Sequence, residues 1–150
     1  MKIKRVGIHS KQDITIEDLL REARAHEDIK KAGMIGCFIG VVRGVTDEEE
    51  KVKHLEYEAY EELAEEKLNE IADKMAKKKG IVGVWIHHII GKRFVGEDVI
   101  YVVVAGDHRY NVFPVLEETV ELVKKDVPIW KKEVTESKSY WAHQKTGKKR

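Results

Sequence analysis

From Val123 to Glu133 the chain reads Val-Lys-Lys-Asp-Val-Pro-Ile-Trp-Lys-Lys-Glu, which sets Lys124, Lys125, Lys131 and Lys132 around a helix end, a proline break and a tryptophan. Such a cluster suits an anionic ligand. At 100° per residue, Lys124 projects only about 20° from Phe113 and about 40° from Val120, at the edge of an apolar helix face, whereas Lys125 turns away. Desolvation and neighbouring cations both disfavour an ammonium there, which makes Lys124 a candidate nucleophile or proton shuttle. The competing reading is a lysine that complements the helix C-terminal dipole and whose stem reaches out to water. Lys131 follows Pro128. In an extended segment it points opposite to Trp130 and Lys132, towards the end of the preceding helix; otherwise it is a plain surface lysine.

Two further basic sites adjoin element ends. His108 and Arg109 follow Asp107 at a helix start, where positive side chains oppose the macrodipole unless an anion binds. Free backbone N–H groups, Arg109 and a protonated His108 would together hold a phosphate. Equally, Asp107 serves as N-cap and Arg109 pairs with a nearby carboxylate. Arg43 ends a strand beside Gly44, where it either presents its guanidinium fork to an anion or pairs with the Asp47–Glu50 run. Sequence alone does not bring these sites together.

Other residues read as structural. His87 and His88 are neighbours in a strand and point to opposite faces, so they are poorly placed to share a metal, and no metal is expected. Cys37 lies in an apolar strand, where a buried inert thiol is the default. Trp85, Trp130 and Trp141 lack the basic and aromatic interleaving of a single-strand nucleic-acid surface, so core or interface packing is expected. No Gly-rich phosphate loop is present.

The elements that must position these residues are legible in outline. Thr15 with Asp18 marks a capped helix start, and Ile16, Leu19, Leu20 and Ala23 follow at helical spacing. Ile35–Val41 is a strand leading into a charged loop, and Leu55 and Tyr57 suggest a returning strand. Leu63, Leu68, Ile71, Ala72 and Met75 form the stripe of a helix ending near Gly80. Val82–Ile90 and Asp98–Ala105 read as an antiparallel pair joined by the loop Gly91–Glu97. A helix after Asp107 presents Val112, Leu116, Val120 and Val123, with Pro114 either in its first turn or kinking it. Ile129–Val134 and Ser139–Trp141 suggest short strands, and Thr146–Arg150 a frayed basic tail. Hairpins mixed with helices predict an α+β fold with a largely antiparallel sheet.

At 150 residues and 42% hydrophobic, the chain is long enough for one domain with its own core. The 37% charged residues nearly cancel, at +1, which argues against a general nucleic-acid or membrane binder. Its single cysteine allows no intrachain disulfide and fits a reducing cytoplasm. No apolar leader precedes Ser10–Asp13, and no apolar run reaches the ~18 residues needed to span a bilayer, so a soluble, unexported protein is expected.

Six pieces recur in one order and spacing: Phe38-Ile39-Gly40-Val41-Val42-Arg43, Leu55-Glu56-Tyr57-Glu58-Ala59-Tyr60, His87-His88-Ile89-Ile90-Gly91, Val95-Gly96-Glu97, Asp107-His108-Arg109 with Phe113, and Val127-Pro128-Ile129-Trp130-Lys131-Lys132-Glu133. With them the chain resembles the molybdopterin synthase catalytic (large) subunit family over about residues 33–141. The resemblance implies an α/β-hammerhead-like core, a homodimer, and two bound copies of a small ubiquitin-like sulfur carrier in a heterotetramer. The carrier's C-terminal Gly-Gly tail, activated as a thiocarboxylate, would enter the pocket. Sulfur would pass twice to cyclic pyranopterin monophosphate, forming the dithiolene of molybdopterin without a metal or other cofactor in the subunit itself. By resemblance, Lys124 and Lys131 are the catalytic lysines and Arg43, His108 and Arg109 bind substrate, in a pocket that can draw on both subunits. The alternatives are a non-catalytic anion- or nucleotide-binding module, and an interaction domain using Trp130, Trp141 and the basic tail.

Overall fold

Thr15 opens the first helix as its spacing predicts. Its hydroxyl accepts the Asp18 backbone N–H at 3.2 Å, while the Asp18 carboxylate accepts the Thr15 N–H at 2.9 Å. This reciprocal cap satisfies donors that the helix cannot. The Thr15 N–H, ahead of the hydroxyl and Arg21, holds the Asp18 carboxyl below its ordinary range.

The structure, a computed structural model, describes residues 3–137 and 139–142, all but the side chain of Tyr140. The tail predicted at Thr146–Arg150 lies outside them. Strand β1 (Val6–His9) precedes α1 (Ile16–Arg24), and a 3₁₀ turn at Ile29–Lys31 leads into β2 (Met34–Val41). Then come β3 (Val52–Ala59), α2 (Glu61–Ala76), β4 (Ile81–Ile89), β5 (Gly91–Phe94) and β6 (Asp98–Gly106). Helix α3 (Arg109–Asp126), β7 (Ile129–Thr135) and β8 (Ser139–Ala142) follow. The class is α+β, as the element order predicts, but the strands divide into two sheets. The first runs β1-β4-β6-β2, parallel only between β1 and β4; the second, β5-β3-β7-β8, is antiparallel throughout.

The first sheet is covered on both faces. On one, Leu19 and Ala23 of α1 pack against Trp85, Tyr101, Val103 and Ala105. On the other, Ala64, Leu68, Ala72 and Met75 of α2 and Val112, Val120 and Val123 of α3 join the cluster that contains Val84, Ile86, Val102 and Val104. Double coverage is why β4 and β6 are buried nearly end to end instead of alternating.

Several expectations change. Gly91–Glu97 is not simply a loop: Gly91–Phe94 is β5, which pairs with β3 in the second sheet. Gly91, at φ +91°, makes the abrupt departure from β4 that an L side chain would resist. Cys37 is exposed rather than buried, because β2 is an edge strand. Leu63 is 39% exposed, and Ala64 takes its place on the buried stripe. Pro114 lies inside α3, past its first turn, so the Tyr110 carbonyl lacks its usual helical donor. Trp85 belongs to the core, whereas Trp130 and Trp141 are more than half exposed.

Candidate functional site

The end of α3, the inner face of β7 and the end of β2 meet at a cavity of about 670 Å³ between the two sheets. Lys124 reaches it from the last turn of α3, next to the buried Val123, and is half-buried, while Lys125 is exposed. This is the separation that the helical phase predicts. Phe113, one of the residues used to set that phase, is 55% exposed, so Val120 and Val123 mark the buried face near the lysine.

Strand alternation delivers Lys131. Ile129, Lys131 and Glu133 line the cavity, and Trp130 and Lys132 do not. Lys131 sits opposite Tyr57 of β3 and Ala142 of β8. Arg43 approaches from the mouth, mostly exposed, and Nη1 lies 3.1 Å from Asp47 Oδ1. Of its two sequence readings, the pairing with the loop carboxylate is the one made, and the side chain also lines the cavity. Three cations from distant segments converge on one space whose volume suits a small-molecule ligand.

His108 and Arg109 do not join them within one chain. They lie at the opposite end of α3 from Lys124, about 22 Å away along the axis. His108, rather than Asp107, is the N-cap, and its ring stacks on Tyr110 at 5.0 Å. Asp107 Oδ1 accepts from the Asn111 side chain (2.9 Å) and the His108 backbone N–H (2.6 Å), and these bonds, Asn111's first, lower its carboxyl pKa. Arg109 makes no ion pair among the described residues, so the carboxylate partner considered for it is not found.

Sequence reasoning passed over His88 and Tyr57. Both line the cavity and pack edge to face, ring centroids 5.0 Å apart. Burial, with the Lys124 ammonium adding to it, pulls His88 down to about 4, so its imidazole is neutral at pH 7. Burial, then Glu133, pushes Tyr57 up to about 12, so it keeps its phenolic proton. Alternation along β4 does separate His88 from His87 as expected, but which face meets a cavity depends on the second sheet. Trp141, at the end of β8, also lines the cavity. No helix among the described residues is long and apolar enough to cross a membrane.

The family model described as "MoaE protein" matches residues 9–126, beginning well upstream of residue 33, where the resemblance carried by the motifs begins. A Pyrococcus abyssi molybdopterin synthase catalytic subunit is 39% identical over 87% of this chain and 84% of its own length. A Haloferax volcanii relative, described as a probable molybdopterin synthase, is 34% identical over 87% of this chain, which spans only 50% of that longer protein. Among solved structures, molybdopterin synthase from Staphylococcus aureus superposes with a TM-score of 0.81 at 32% identity, covering 94% of this chain and 98% of its own. A Helicobacter pylori chain, solved as a complex of subunits 1 and 2 of molybdopterin-converting factor, shares the fold with a TM-score of 0.73 at 23% identity, covering 95% and 93%.

Proposed function

Because this chain belongs to the MoaE family, whose relatives include molybdopterin synthase catalytic subunits, we propose that the cavity between its sheets is where sulfur reaches a pterin substrate. The activity is that of the family: an enzymatic sulfur transfer in molybdenum cofactor biosynthesis. One observation carries the assignment to this cavity, namely that Arg43, Lys124 and Lys131 all line it.

The donor is the thiocarboxylated Gly-Gly tail of a small ubiquitin-like carrier, and the acceptor is cyclic pyranopterin monophosphate. The fold shared with a subunit solved in a two-subunit complex supports a carrier of this kind. Arg43 holds the substrate phosphate, and fixed cations stabilise negative charge that develops during transfer. Lys124 and Lys131 receive the tail and assist proton transfer or acyl capture. His108 and Arg109 serve the pocket of the second subunit in a homodimer, which with two carriers makes a heterotetramer. Such a division of labour accounts for two basic residues that lie about 22 Å from Lys124 in their own chain. The reaction belongs in the cytoplasm, consistent with a chain whose one cysteine is free.

The test combines purified protein, thiocarboxylated carrier and cyclic pyranopterin monophosphate, with dithiolene formation followed by mass spectrometry. Product from wild type and none from Lys124→Ala is expected. If wild type makes no product with a carrier that another synthase accepts, the chain is a non-catalytic anion-binding module.

A further inference from the structure

His88 sits on the cavity's buried side with one ring nitrogen committed. Its Nδ1 is 3.0 Å from the Ile89 carbonyl, and a carbonyl only accepts, so Nδ1 carries the proton. In the neutral ring the lone pair is then on Nε2. No hydrogen bond to Nε2 is made among the described residues, and the atom is not sealed from the cavity that His88 lines. The edge-on contact with Tyr57 fixes the plane of the ring.

Lys124 is the complementary case. Its ammonium lines the same cavity and acts electrostatically on His88, yet it makes no hydrogen bond or ion pair among the described residues. A donor and an acceptor, neither with a hydrogen-bond partner among the described residues, thus line the same cavity, where solvent reaches both. We propose that His88 is a positioning residue for Lys124: its Nε2 is the acceptor that draws the lysine Nζ against the cavity floor, in a bond that shortens as ligand displaces water. Contacts of this kind are often long in an unliganded site and tighten in the complex. His88, neutral across the working pH range, orients the lysine rather than storing its proton. The consequence for catalysis rests on the proposed role of Lys124 in receiving the carrier tail.

Two measurements test this. In ¹⁵N-labelled protein, adding cyclic pyranopterin monophosphate should move the His88 Nε2 resonance upfield as Lys124 becomes its donor; Lys124→Met should abolish that movement and Lys125→Met should keep it. In turnover, His88→Phe, which keeps a ring but no acceptor, should lower kcat about 10- to 100-fold with little change in KM for the carrier. His88→Gln, which returns an acceptor near the place of Nε2, should recover most of that loss. A resonance that does not move in wild type, or that moves as far in Lys124→Met, overturns the proposal. So does wild-type kcat in His88→Phe, or a His88→Gln as slow as His88→Phe while both unfold at the wild-type temperature. Should wild type itself make no product, the sulfur-transfer reading of the cavity falls, and the resonance still decides whether His88 positions Lys124.

Discussion

Lys124 and Lys125 are consecutive residues of the same type, and only the first is half-buried in the cavity wall. Their difference was legible in the sequence because helical phase is a local property: Val120 and Val123 carry it to the lysine whatever the rest of the chain does. Lys124→Ala should therefore reduce turnover by about 100-fold or more, with Lys125→Ala near wild type and both unfolding cooperatively. His88 was not legible in the same way, since alternation assigns it a face but not what that face meets. With His87 it also gives the protein an acid-sensitive core. Burial holds both at about 4, against 6.5 for a free imidazole. Each is thus depressed relative to the unfolded chain, so its contribution is present above about pH 6.5 and is lost as pH falls towards about 4. The loss is of the order of 3 kcal/mol per residue at the lower end. Urea midpoints measured from pH 7 down to pH 4.5 should fall, and His87→Gln should flatten the slope; an equal slope would count against a neutral buried His87.

At the level of elements, the helices and the long strands were readable from caps and periodicity, and β5 was not. Its four residues carry little pattern, and their strand character comes from pairing with β3, which is distant in sequence. Cys37 misled for a related reason: an apolar strand looks the same at an edge as in the middle of a sheet. The reciprocal cap at Thr15 should be worth about 1 kcal/mol, read as the stability lost in Thr15→Ala. Gly91 has a larger role. Gly91→Ala must hold an L residue at φ +91°, at a cost of about 1–2 kcal/mol. Because Gly91 leads β4 into β5, and so joins the first sheet to the second, the same variant should lose kcat beyond what its thermal shift explains. A destabilised Gly91→Ala with unchanged kcat would mean that the cavity tolerates movement between the sheets.

For the whole molecule, the sequence singled out five site residues and the fold collects three of them in one cavity. Whether His108 and Arg109 rejoin the others depends on a second copy of the chain. Lys124→Ala and Arg109→Ala are each expected to be inactive alone. Mixed dimers of the two would contain one pocket with both lesions and one with neither, so exchange of subunits should restore about half of wild-type activity per mixed dimer. No recovery, with mixed dimers verified by native mass spectrometry, would place Lys124 and Arg109 in the same functional unit of one chain. The pairing of Lys131 with Tyr57 has a further consequence, for the order in which the protein is made. β7 meets β3 only after two helices and three strands have intervened in the chain. Such long-range closures are slow, because the entropy of the loop is lost before any contact is gained. During refolding, secondary structure should therefore return well before the inter-sheet cavity does, leaving the newly made chain for a time folded in outline but with nowhere for a ligand to enter.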